Sequence, residues 1–495
     1  MCPRPLSPTG CWADDRLVSL PDPGSARHIG AGPLASNGGD SLSRPNKARL
    51  EQEGRNQERA IPDRSGFRYG MRAFHHRDFR YFFIGALASN SGSWLQNLAV
   101  PYVLYQLTGR SLWVGMAGFA QFIPSFMLGP LAGSLADRVD RRRLLLATQF
   151  ALAASAFLLW ACWALHWRTP SLILAITALT GVFSGLMIPS WQAFVPSLVP
   201  RDDLPSAITL NSTQFNASRA VGPALAGLLL ATVGPGWAFF LNGVSFLVVI
   251  AVLWVVKPRR DAPSNHPTEG VVAGFRSAVG YIRGRTGIGL SVLCAMLVAF
   301  FGNPISQFIV VFTDQVYHAG PRVLGLMTSA VGIGAVVVAP ALSSWDTRVS
   351  RSAVVRWGLP IYALAVIGYG LAPNWPLGLV ALMVVGAGFL AVIATTNTAV
   401  QVIVADHMRG RVMSARIMGF TLAFPLGSLA QGALADLWGP QPTVVLSGAC
   451  LLAAATYLAS KPAMLAGLDR TDDTPNRSAV TGRRLSRRRQ PRESS

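Results

Sequence analysis

Twelve apolar runs, each about 20 residues or longer and joined by short connections, constrain this chain more than any other feature. They fall at 81–106, 112–136, 143–166, 171–195, 205–232, 236–256, 287–313, 323–343, 353–373, 376–402, 412–435 and 440–460. A run of that length crosses the hydrocarbon core of a bilayer as one helix, and lipid favours helices because each segment must satisfy its own backbone. Only 13% of the residues are charged, against about a quarter in ordinary soluble domains, and the mean hydropathy is +0.38. The expected fold is all-α and integral to the membrane, with twelve transmembrane helices.

The net charge of +20 would suggest nucleic acid in a soluble protein, but here the arginines alternate from one connection to the next. One side collects Arg64, Arg68, Arg72, Arg77 and Arg80, the 2–3 loop with Arg138 and Arg141 to Arg143, and the 6–7 loop from Lys257 to Arg285. Arg201, Arg348, Arg351, Arg409 and Arg411 join that side, while the other holds Arg110, Arg168 and Arg322. The positive-inside rule then places both termini in the cytoplasm, and nucleic acid is not needed as a partner. Of the five cysteines, Cys2 and Cys11 lie in the leading tail and Cys162, Cys294 and Cys450 in separate spans, without metal-ligand spacing.

The chain divides into a basic N-terminal tail at 1–78, expected to be disordered, with translation starting instead at Met71 as the alternative; a six-helix half at 79–256; a cytoplasmic linker at 257–286; a second six-helix half at 287–460; and a disordered basic tail at 461–495. The halves repeat. QAFVPSLVPR, from Gln192, returns as QVIVADHMRGR, from Gln401, and the spacing of Gly222, Gly227, Gly234 and Pro235 returns in Gly427, Gly432, Gly439 and Pro440. Two such halves in parallel orientation resemble the plan of the major facilitator superfamily.

GSLADRVDRRRLLL, at the turn between spans 2 and 3, is similar to motif A of that superfamily, with Gly133, Asp137, Arg138, Arg141 and Arg142 on the matching positions and Asp140 in place of a more usual glycine. The match implies a cytoplasmic gate: a glycine that admits a neighbouring helix, and a charge cluster that pairs in one conformer and releases in the other. SNSGSWLQNLAVPYVLYQLTGRSLWVGMAGFAQFIP, LVPRDDLPSAITLNSTQFNASRAVGPALAG and DHMRGRVMSARIMGFTLAFPLGSLAQGALAD resemble the bacterial transmembrane secretion effectors, which include enterobactin exporter-like proteins. The resemblance covers roughly residues 75 to 460. It implies proton-driven export of a small molecule such as a drug, siderophore or metabolite, in a bacterial inner membrane and as a monomer.

Arg219 and Pro223 interrupt span 5. Ser212, Asn216, Arg219 and Pro223 fall on one helical face, and Pro223 removes an amide at the turn carrying the arginine. A face opened in this way is tolerated only against protein or water, so it is expected to point toward the transport pathway. The alternative for Arg219 is a buried fastening to a neighbouring helix. SRAVGPALAG also resembles the antiporter motif C at Gly222, Pro223 and Gly227, the expected helix bend, with Ser218 and Ala226 departing from it. Asn90, Trp94 and Asn97 in span 1, Gln192 in span 4, Asn303 and Gln307 in span 7, and Asn397 and Gln401 in span 10 complete the expected substrate cavity, with hydrogen bonding between helices as the other reading of each amide.

No Asp or Glu lies in the middle of a span, and Asp137, Asp314 and Asp406 stand near span ends, so the residue carrying a coupling proton is open. The sequence has no phosphate-binding loop and no H-E-x-x-H spacing. No enzyme activity, cofactor or metal is therefore expected. Uptake of a nutrient or lipid, and a transport-inactive membrane receptor or partner protein, are the remaining readings of the same fold.

Overall fold

The computed structural model describes residues 70–257, 271–345 and 349–469, except the side chains of residues 130–131, 133–134, 136–138, 271–274 and 343–345. Most of the two expected tails, including Cys2 and Cys11, and linker residues 258–270 lie outside the described residues. The described chain holds twelve long helices: α1 (Arg77–Thr108), α2 (Ser111–Arg138), α3 (Arg141–Ala164), α4 (Pro170–Phe194), α5 (Leu204–Thr232), α6 (Pro235–Val255), α7 (Thr286–Val316), α8 (Pro321–Trp345), α9 (Arg351–Leu371), α10 (Trp375–Ile403), α11 (Asp406–Trp438) and α12 (Pro440–Ala459). Ten of the twelve positions carry a stretch long and apolar enough to cross a membrane. α1 and α5 match the others in length but fall short in apolarity, because Asn90, Gln96 and Asn97 in one and Gln214, Asn216 and Arg219 in the other dilute their apolar content.

Local chemistry sets the helix ends. Asp140 caps α3 by accepting the Arg143 amide at 2.9 Å, which explains an aspartate at a position where glycine was the more usual residue. Asn374 caps α10 in the same way. The repeated Gly-Pro pairs form matching corners. Gly234 and Gly439 adopt φ of 84° and 90°, open to glycine at little cost, and Pro235 and Pro440 begin α6 and α12 with the dihedral a helix start needs.

Packing follows the repeat. α2 against α4, α3 against α4 and α3 against α6 are answered by α8 against α10, α9 against α10 and α9 against α12. Two further seams, α2 with α11 and α5 with α8, join the halves. Both seams bring backbones together at small residues. A Cβ on Gly227 would come within 2.6 Å of the Gly325 Cα, and one on Gly115 within 2.5 Å of the Ser428 carbonyl oxygen.

Three departures from expectation concern segment ends. Folded chain begins before residue 79, since Arg72–His75 forms a 3-10 turn in which Ala73 is fully buried and donates its amide to Ser206 Oγ at 3.0 Å. It also continues beyond 460, where Pro462–Leu465 and Ala466–Leu468 bury Leu465 and Leu468. The linker contains a helix, Val271–Arg283, held to α11 by Arg411 Nη1 donating to Ser277 Oγ at 3.5 Å. Composition misplaced these boundaries because a few buried apolar residues suffice to dock a polar segment.

Replacing Gly227 by valine is expected to destabilise the detergent-purified protein by about 1–3 kcal/mol, through overpacking of the α5–α8 seam. Gly368→Val, where an added Cβ meets nothing within 4 Å, serves as the comparison and should leave the thermal midpoint nearly unchanged.

Candidate substrate site and gate

Arg219 lies on α5 where the two halves meet. Its guanidinium carbon stands 5.8 Å from the Trp94 ring of α1 and 5.2 Å from the Phe389 ring of α10, within the range of cation–aromatic attraction. No carboxylate pairs with it among the described residues, and it accounts for the positive charge of a small cavity also lined by Asn303, Ser306, Tyr362 and Phe389. Trp94 reaches this position because α5 has a glycine there: a Cβ on Gly222 would stand 2.5 Å from that of Trp94. Pro223 is buried, and its carbonyl faces Gly325 of α8. The polar face expected on α5 is thus turned to the other half at Arg219 and Pro223, whereas Asn216 donates back to the Ser212 carbonyl of its own helix.

Across the cavity α7 is irregular. It widens into π turns at Val298–Gly302 and Phe312–Val316, with Pro304 between them. Gln431 of α11 donates to the Phe300 and Phe301 carbonyls at 3.0 and 3.1 Å, satisfying backbone groups that the break would otherwise strand in lipid. Asn303 follows this break directly and lines the same small cavity as Arg219.

The other expected cavity amides divide. Asn90 donates to Gln214 Oε1 at 3.1 Å, Asn97 accepts from Gln121 Nε2 at 2.7 Å, and Asn397 accepts from Arg416 Nη1 at 3.2 Å, so these three fasten helices within one half. Gln192 and Gln401 are exposed at the ends of α4 and α10. Gln307 is half-buried, with its Cγ beside Gly118 of α2.

Of the motif at the α2–α3 turn, the side chains of Gly133, Asp137 and Arg138 lie outside the described ones. Arg141 is exposed. Arg142 donates to the Leu253 and Trp254 carbonyls at 2.7 and 2.8 Å, capping the end of α6 within the same half.

Arg416 of α11, absent from the expected site, is 6% exposed. Its two terminal nitrogens bind Asn397 Oδ1, the Ile393 carbonyl and Thr396 Oγ1 on α10, with no carboxylate among the described partners. The charge inside the 412–435 run was the available signal. Gln431 was equally visible as an amide there.

Twelve helices in two repeated halves, with a broken helix and Arg219 on the cavity where the halves meet, define a membrane transporter of the major facilitator fold. The family model for transmembrane secretion effectors matches residues 70–487, and the chain belongs to that family. It is a multi-pass transporter and not an enzyme. It is 23% identical over 379 residues to the staphyloferrin A transporter of Staphylococcus aureus, covering 74% of this chain and 92% of that protein. It is 27% identical over 394 residues to the enterobactin exporter EntS of Citrobacter koseri (75% and 89%), and 24% identical over 371 residues to the multidrug efflux pump Tap of Mycolicibacterium fortuitum (72% and 89%). Among solved structures, a bacterial homologue of the human lysosomal transporter Spinster, inward-facing and unoccupied, superposes with a TM-score of 0.62 at 14% identity, covering 80% of this chain and 99% of that one. The human organic anion transporter MFSD10 gives 0.54 at 19% identity, covering 77% and 99%.

Arg416→Ala removes three charge-assisted hydrogen bonds to α10 and is expected to cost about 1.5–3 kcal/mol of stability. Arg219→Ala removes only ring contacts, worth about 0.5–2 kcal/mol. Thermal unfolding of the two variants in detergent should therefore rank Arg416→Ala as the less stable, and the reverse order would contradict these assignments.

Proposed function

We propose that this protein exports a small organic anion from a bacterial cell by alternating access, with a proton as the coupling ion. The observation that carries the reading is Arg219: a cation without a carboxylate partner among the described residues, at the contact between the halves and beside a cavity. Keeping a charge at that depth is costly unless a ligand or structural partner compensates it. Trp94 and Phe389 belong to opposite halves, so an anion bound at Arg219 would bias both at once. Relatives named as an enterobactin exporter and a multidrug efflux pump support the outward direction.

In this reading the protein works as a monomer in the inner membrane with both termini in the cytoplasm, as the arginine asymmetry suggests. Asp137, near the start of the α2–α3 turn, acts with its arginines in the cytoplasmic gate. The coupling proton has no buried mid-span carboxylate to use among the described residues.

Everted membrane vesicles with an imposed proton gradient and a pH-sensitive fluorophore test the proposal directly, using siderophores, anionic drugs and cationic dyes as the panel. Dissipation of the gradient by anionic compounds alone is expected. Arg219→Ala should lower the anion-dependent rate at least about tenfold in folded protein, in line with the loss of one charge-assisted contact, and Arg219→Lys should retain more of it. Equal rates for Arg219→Ala and the parent, or a response confined to cations, would overturn the anion assignment. Asp137→Asn is expected to slow transport without loss of folded protein from the membrane; undiminished transport would remove Asp137 from the gate.

A further inference from the structure

The two halves are joined by a bond that the motif matches do not account for. Asp436, in the last turn of α11, accepts the backbone amide of Ser111, the first residue of α2, on Oδ1 at 2.5 Å, and Arg110 Nε on Oδ2 at 3.1 Å. Its side chain is only 16% exposed. Arg110 flanks the start of α2 and has no side-chain acceptor to cap it. The cap of a helix in the first half is therefore supplied by an aspartate of the second half, where the positive end of the helix dipole favours it.

From that bond inward, α2 and α11 run antiparallel in a regular register. Gly115 packs against Ser428 and Gly432, Gly118 against Ser428, and the Phe122 ring lies 4.9 Å from that of Phe424. Both helices also end on the same five-residue pattern. Gly133-Ser-Leu-Ala-Asp137 closes α2, and Gly432-Ala-Leu-Ala-Asp436 closes α11. In antiparallel helices the two patterns stand at opposite ends of one seam. Counted on along both sequences, that register pairs position 137 with position 409, in the first turn of α11, where Gly410 has no neighbour within 4 Å of an added Cβ. By sequence register each helix ends in an aspartate level with the other's first turn. Two stiff helices rocking about a shared middle contact can close one such end only by opening the other.

We propose that Asp436, with Arg110, is the latch of the outer gate, holding α2 and α11 together at the end opposite the motif at the α2–α3 turn. It keeps the outer end shut in the conformer described here and lets go when the end carrying Asp137 closes. The latch concerns the conformational cycle and holds for transport in either direction, so it stands apart from the anion-export reading.

Distance measurement between spin labels tests it. The full-length protein, in nanodiscs and with its five native cysteines replaced by serine, carries labels at Trp167→Cys, in the α3–α4 connection, and Trp375→Cys, at the start of α10, in opposite halves. Asp436→Ala is expected to raise the ratio of outer-open to outer-closed protein on the order of tenfold, the effect of losing a strong cap and an ion pair. Asp436→Asn should shift it less, because the amide oxygen can still accept the Ser111 amide, and Arg110→Gln less than Asp436→Ala. Adding Asp137→Asn to Asp436→Ala should move the ratio back toward that of the parent, since both ends are then weakened. An unchanged distribution in Asp436→Ala would overturn the proposal. If that variant does not fold, an unchanged distribution in Asp436→Asn and Arg110→Gln together would do the same. A double variant no different from Asp436→Ala would remove the reciprocity between the two ends.

Discussion

Close approach of backbones along two seams, α2 with α11 and α5 with α8, is the contact on which the rest of this molecule depends. In lipid, apolar side chains gain little by leaving the hydrocarbon for one another, so the halves cannot be held by the force that builds soluble cores. What remains is intimate van der Waals packing and a few polar bonds. Gly115, Gly432, Gly227 and Gly325 provide the first, and Asp436 with Arg110 and Ser111 the second. Along α2 and α11 the small residues lie toward the Asp436 end, and the Phe122 and Phe424 rings meet edge-to-face further along the seam.

Polar side chains inside the spans follow a consistent division. Asn90 with Gln214, Asn97 with Gln121, Asn242 with Gln96, and Arg416 with Asn397 all join helices of one half. Bonds of that kind stiffen each half as a body. Arg219 differs in standing between rings from both halves without an acceptor among the described residues. The break in α7 lies on the same cavity, with Gln431 repairing its freed carbonyls. The polar bonds thus stiffen each half, while Arg219 stands between them.

The positions of the helices were legible because the bilayer imposes a local rule. A segment must be long enough and apolar enough by itself, and the twelve expected runs coincide with the twelve observed helices to within a few residues at most ends. The exceptions, the docked turns at 72–75 and 462–468 and the linker helix, are held by a handful of buried side chains rather than by a long apolar run. For the site, Arg219 and Pro223 were identifiable as residues out of place in lipid and Asn303 as part of a polar stripe; Arg219 and Asn303 line one cavity, with the Trp94 ring beside Arg219. Arg416 was out of place by the same rule, but its chemistry alone did not separate a fastening from a ligand site.

Spans, repeat, arginine asymmetry and the presence of costly polar groups were determined by the sequence, because each depends on a stretch short enough to be judged alone. Which polar group binds another helix and which borders the cavity was decided only by the tertiary structure. Asn90 and Asn303 are the same residue type at similar places in their halves, yet one is bound to Gln214 and the other borders the cavity. Ser111 and Asp436, separated by 325 residues, become partners only because two helices of opposite direction share a seam. Pairing across such distances depends on how the helices pack, and no local property of either segment contains it.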